Sequence, residues 1–114
     1  MLRETWRENF PEKKAHLIFG AADSKDVAGI FRELLPILQS VTFVPIKSER
    51  RRSTEEMKNE LIEAGGVDLP TTSSDLLTDA LEKASTPTLV AGSLFLVGET
   101  LGILQEKNFE VSLQ

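Results

Sequence analysis

Apolar positions along the chain alternate between two kinds of spacing. Continuous short runs at 15–19, 41–44 and 88–91 read as buried strands. Between and around them the apolar residues recur at helical intervals. Leu2, Trp6 and Phe10 are spaced by four and predict a short helix over 2–10. Val27, Ile30, Phe31, Leu34, Leu35 and Leu38 form a 3.6-residue stripe, with Asp23 or Ser24 as its cap and Pro36 near its end. Ser53, followed three residues later by Glu56, matches a capping box ahead of a helix that turns Met57 and Leu61 inward and stops at Gly65-Gly66. A very short strand is expected at 67–69 and a turn at 70–74. Ser73 or Ser74 then caps a helix bearing Leu76, Leu77, Ala80, Leu81 and Ala84. An apolar helix follows from 94 to about 105, and the alternation at 109–113 predicts a short edge strand.

Strands that alternate with helices imply a parallel sheet with helices on both faces, an α/β fold. Right-handed crossovers place every strand-to-helix loop on one edge of such a sheet. The chain's 114 residues suit a single domain. No repeat, low-complexity tract or linker divides it.

Composition narrows the chemistry. There is no Cys, which excludes disulfides, thiolate metal sites and a Cys nucleophile. The single His, His16, excludes a multi-histidine metal centre and weakens any Ser–His–Asp arrangement. A formal charge of -5 argues against nucleic-acid binding. The cluster Arg50-Arg51-Arg52 is too short to reverse that, and Arg51 and Arg52 read as solvated. No apolar stretch reaches membrane-spanning length, and residues 1–14 lack the layout of a signal peptide. A cytoplasmic protein is expected, with no membrane partner.

Two strand-to-helix junctions carry the candidate site. The first is Gly20 to Asp26, with Lys25 and Asp26 at a helix start. The second is Gly92-Ser93 after the run at 88–91. The ligand edge of an open α/β sheet lies at such junctions, and helix N-termini there attract anions. Lys25 suits a carboxylate or phosphate, although Asp23, Ser24 and Asp26 equally serve to cap the helix. Arg50, in the loop after the second strand, suits a two-pronged carboxylate contact; a solvated basic loop explains it as well. Ser93 has no base beside it in sequence and reads as a hydrogen-bond donor or cap, not a nucleophile. No catalytic residue and no metal ligand is assigned. Trp6 reads as the anchor of the first helix and His16 as structural.

The stretch Leu17-Ile18-Phe19-Gly20-Ala21-Ala22-Asp23-Ser24-Lys25-Asp26-Val27-Ala28-Gly29-Ile30 resembles a segment of folylpolyglutamate synthase and the bifunctional dihydrofolate synthase, of the Mur ligase superfamily. Val44-Pro45-Ile46-Lys47-Ser48-Glu49-Arg50 with residues 53–57, and Val90-Ala91-Gly92-Ser93-Leu94-Phe95-Leu96-Val97-Gly98-Glu99, are similar to two further segments in the same order, over roughly 15–105. The resemblance implies a Rossmann-like, three-layer C-terminal domain. It also implies a role in folate biosynthesis and one-carbon metabolism. The whole enzyme would use ATP and magnesium to activate a folate or dihydropteroate carboxylate as an acyl phosphate, which the amine of L-glutamate attacks. By position, Lys25, Asp26, Arg50 and Ser93 would contact substrate at the interdomain cleft.

Two family features are missing from this sequence: the N-terminal P-loop ATPase domain and the Asp-Gly-Ala-His-Asn stretch that opens the C-terminal domain. The chain thus reads as a truncated C-terminal domain over 1–114, lacking its first strand and inactive by itself. That strand is expected inside the sheet beside the run at 15–19, so its absence is expected to leave a gap. A second copy, a swap or a collapse of the sheet would close it. Two other readings remain open: the C-terminal domain of another Mur-type amide ligase, and a non-catalytic α/β binding domain.

Overall fold

The computed structural model describes residues 2–11, 13–22, 26–46, 51–84, 87–92 and 94–106. In chain order the elements are α1 (Leu2–Asn9), β1 (Ala15–Phe19), α2 (Val27–Leu34), a 3-10 turn (Leu35–Ile37), β2 (Leu38–Phe43), α3 (Thr54–Glu63), β3 (Thr71–Ser73), α4 (Leu77–Lys83), β4 (Thr88–Ala91) and α5 (Leu94–Glu106). The four described strands form one sheet in the order β3-β2-β1-β4. Every pairing is parallel, as the alternation of elements requires.

Alternate residues of the strands feed two cores. Leu17 and Phe19 of β1 with Val41 and Phe43 of β2 face α1, α2 and α3, where they meet Trp6, Val27, Phe31, Leu34, Met57 and Leu61. Ile18 faces the other way, toward Leu77 and Ala80 of α4 and Leu96 of α5. The molecule is therefore three layers, helix–sheet–helix. Phe31 joins the aromatic residues of both central strands, with ring centroids 4.6 Å from Phe19 and 6.3 Å from Phe43. Trp6 anchors α1 as expected: its ring is buried and its indole N–H donates to the Lys13 carbonyl at 3.0 Å.

Local expectations needed correction at several places. The α2 cap is Asp26, not Asp23 or Ser24; its carboxylate accepts from the Gly29 N–H at 3.1 Å. Residues 23–25 lie outside the described residues. Leu38 belongs to β2, not to the helical stripe, because Pro36 cannot continue the i→i−4 ladder and the chain tightens into a 3-10 turn. An irregularity between Ala15 and His16 in the pairing with β2 lets Leu38 share a core with Val41.

The third strand lies at Thr71–Ser73, within the expected turn, and not at 67–69. Val67 is 66% exposed, whereas the Val41 N–H donates to the Pro70 carbonyl and the Ser74 N–H to the Phe43 carbonyl, closing the ladder on β2. Ser73 is in that strand, and Ser74 donates to the Leu76 carbonyl, so α4 starts at Leu77 without a side-chain cap. The capping box at α3 is present in part. Ser53 Oγ accepts from the Glu56 N–H at 3.1 Å, while the Glu56 carboxylate accepts from the Ser53 hydroxyl. The strand expected at 109–113 lies outside the described residues.

Among the described strands no interior gap is found. β2 pairs with one edge of β1 and β4 with the other, so the central strand is paired on both sides. The unpaired edges of the described sheet are the outer ones of β3 and β4.

Candidate functional site

In a parallel sheet with right-handed crossovers the chain leaves each strand at the same edge. The loops after β1, β2 and β4 meet there by close backbone contact. Just past β1, a Cβ at Gly20 would lie 2.5 Å from the Val44 carbonyl oxygen, so the loop after β2 crosses where only glycine fits. Just past β4, Gly92 has φ +107, and a Cβ there would lie 2.4 Å from the Gly20 carbonyl oxygen and 2.8 Å from Phe19 Cε1. Gly20 is thus the hub, touched from one side by the loop after β2 and from the other by the loop after β4.

Further out, the first two loops pair as strands do. Ala22 and Arg51 form an isolated antiparallel bridge. The Arg52 N–H donates to the Ala21 carbonyl at 2.8 Å. Arg52 is not solvated, against expectation: its guanidinium Nη1 meets Glu60 Oε1 of α3 at 2.6 Å, with the two side chains 14% and 24% exposed. Arg51 is exposed, as expected.

Of the four sequence-predicted contact residues, Asp26 alone is described. It sits exposed at the α2 N-terminus with its carboxylate engaged in capping. Lys25, Arg50 and Ser93 lie outside the described residues. Their described chain neighbours Asp26, Arg51 and Gly92 mark the three loops at this edge.

Sequence reasoning missed the Arg52–Glu60 pair. A signal was available: Arg52, Glu56 and Glu60 are spaced by four around the Ser53 cap, which brings the residue just before α3 back along one face of that helix. Among the described residues no group of three His, Asp or Glu side chains is arranged to hold a metal ion.

His16 stands apart from this edge, on the α4/α5 face of the sheet. Its Nδ1 lies 2.5 Å from Ser40 Oγ and its Nε2 2.9 Å from Thr42 Oγ1, which in turn lies 2.7 Å from Thr72 Oγ1. The row ties β1, β2 and β3 together. Burial pushes the imidazole pKa below its ordinary 6.5. No partner in the row is charged, so His16 is structural, as its place inside a strand suggested.

No family model matches this chain, and no curated protein matches it. Solved structures do. The chain is similar to the folylpolyglutamate synthase of Thermotoga maritima, with a TM-score of 0.81 and 22% identity over 96% of this chain and 25% of that one. It is similar to the Mycobacterium tuberculosis folylpolyglutamate synthase in complex with ADP and AMPPCP, with a TM-score of 0.76 and 20% identity over 97% of this chain and 27% of that one. It is also similar to the Helicobacter pylori folylpolyglutamate synthetase, with a TM-score of 0.69 and 22% identity over 92% of this chain and 25% of that one. The fold is therefore shared with one part of these ligases, and the chain spans about a quarter of their length.

Proposed function

We propose that this chain is the C-terminal domain of a folate–glutamate ligase and supplies the carboxylate-binding edge of its interdomain cleft. The observation that carries the reading is the fold match to folylpolyglutamate synthases over nearly the whole chain. Three resembling segments fall in the same order, at the loops after β1, β2 and β4. In this reading Lys25 and Arg50 hold carboxylates of L-glutamate or of a folate, Ser93 donates a hydrogen bond, and Asp26 orients the loop that carries Lys25. The overall reaction joins the glutamate amine to a folate or dihydropteroate carboxylate at the expense of ATP and magnesium.

The described residues do not fit a site for the metal. They offer no acidic cluster, and the sequence has neither GxGxxG nor GxxxxGK[ST] spacing. Nucleotide and magnesium therefore belong to the P-loop ATPase domain in this proposal, and the present chain has no ligase activity by itself. Its own contribution is binding and orientation, which lower the barrier by holding the amine where it can attack.

The test is ATP-dependent incorporation of labelled L-glutamate into a folate acceptor. The chain is joined behind the P-loop domain of a folylpolyglutamate synthase, with that synthase intact as positive control. Incorporation that needs both parts, with a raised KM for glutamate in Arg50→Ala, supports the proposal. A folded, nucleotide-binding fusion that incorporates no glutamate contradicts it, and an unchanged KM in Arg50→Ala removes the carboxylate role of that residue.

A further inference from the structure

We propose that the outer edge of β4 is a docking site for this chain's own C-terminal segment, residues 109–113, which adds there as a parallel strand beneath α5.

The two outer strands of the described sheet are unlike. β3 is Thr71-Thr72-Ser73, short and polar, a composition that discourages further pairing. β4 instead carries Leu89, Val90 and Ala91, all half-buried. Alternate residues on that side of the sheet bond to β1: the Pro87 carbonyl accepts from the His16 N–H, and the Ala91 carbonyl from the Gly20 N–H. In a parallel ladder the N–H and carbonyl of one residue face the same neighbour. Val90 is one residue out of step, so both its backbone groups face the outer edge, where no described strand lies. An apolar edge of this kind is a template for another strand.

Helix α5 extends the same surface. Leu96 and Ile103 belong to the core between the sheet and the α4/α5 layer, and Thr100 between them is buried. At 3.6 residues per turn, Val97, Leu101 and Leu104 lie about 100° round from that series. Because the helix is right-handed and runs back against β4, this is the flank above the outer edge. All three are half-buried, and none joins either described core. Flank and edge together form an apolar corner whose named residues carry no charge.

The occupant follows from connectivity. The step from β3 to β4 passes through α4, on the face that α5 shares. A right-handed crossover through α5 moves the chain on in the same sense, past β4. The 13 residues of α5 rise about 20 Å, the length of a five- or six-residue strand, so Glu106 ends at the edge where the strands begin. Residues 107–114, which lie outside the described residues, continue from there. Lys107 and Asn108 suffice for a helix-to-strand connection. In the proposed strand Phe109, Val111 and Leu113 share the face beneath Val97, Leu101 and Leu104, and Glu110 and Ser112 take the open face.

The experiment uses the full chain, isotope-labelled, with hydrogen exchange of the Val90 amide followed by NMR. In Val111→Asp this amide exchanges roughly tenfold faster than in the parent, the scale of a few lost cross-strand pairs. Ser112→Asp, on the open face, leaves it unchanged, and the amides of Leu17 and Phe43 keep their rates in both variants. Equal Val90 exchange in parent and Val111→Asp overturns the proposal. A second measurement places a spin label at Gln114→Cys. The expected result is broadening of the Val90 and Leu101 amides, within one molecule, beyond that of Thr72 on the far edge. Equal broadening at the two edges overturns the proposal. So does broadening seen only when spin-labelled and isotope-labelled molecules are mixed, because a second copy then fills the corner.

Discussion

His16 is held by two hydroxyls and faces no charged partner among the described residues, and burial sets its proton balance. Its folded-state pKa lies below the unfolded value near 6.5. The unfolded chain therefore binds more protons between the two values, and stability rises with pH across that window. The contribution of His16 is fully present above pH 6.5 and is lost as pH falls toward the lower folded pKa. Urea midpoints measured downward from pH 7 should show this decline, and His16→Gln should flatten it.

Gly92 gives a sharper effect. Its φ of +107, and the 2.4 Å that would separate an added Cβ from the Gly20 carbonyl oxygen, leave no room for a methyl group. Gly92→Ala should cost about 2 kcal/mol or more, combining backbone strain with a shifted loop, read as a lower urea midpoint. Residues such as Trp6, Phe31, Met57 and Leu61 were legible from spacing alone, because burial follows the helical repeat. Arg52 was not. Within Arg50-Arg51-Arg52 nothing local separates an exposed cation from one folded back onto Glu60.

At the scale of elements, helices were read better than strands. α2 and α3 carry regular apolar stripes and side-chain caps, which are local signals. Asp26→Ala and Ser53→Ala should each lower stability by about 1 kcal/mol, the usual cost of a lost N-cap, with a matching fall in the urea midpoint. β3 escaped because an edge strand one residue layer deep needs no apolar alternation. Thr71, Thr72 and Ser73 are held by ladder bonds to β2 and by the Thr42–Thr72 hydroxyl contact. Val67 looked more strand-like in sequence, yet it is exposed on a turn just past Gly65-Gly66. The cap of α2 was misplaced by two or three residues because Asp23, Ser24 and Asp26 are all good caps by residue type, and the carboxylate that accepts from the Gly29 N–H is that of Asp26.

For the molecule as a whole, the parallel α/β plan was legible because connection rules leave few choices once strands and helices alternate. The gap expected beside β1 is not what the described strands show. Sequence order does not say which strands become neighbours, and β4 pairs with β1. The radius of gyration, 13.2 Å, is close to the value of about 13 Å for a compact domain of this size. Hydrogen exchange should accordingly be slowest in β1, which is paired on both edges, and faster in β3 and β4.

In the proposed function, crossover loops from β1, β2 and β4 gather Lys25, Arg50 and Ser93 around one ligand. The chain has no native cysteine, so pairs of Cys placed at positions 25, 50 and 93 can be spin-labelled cleanly. Pulsed electron paramagnetic resonance then gives the three distances in solution. Three short distances, measured without ligand because the labels replace the proposed contact residues, are the predicted result. Any pair whose separation approaches the 37 Å long dimension of the molecule would contradict it.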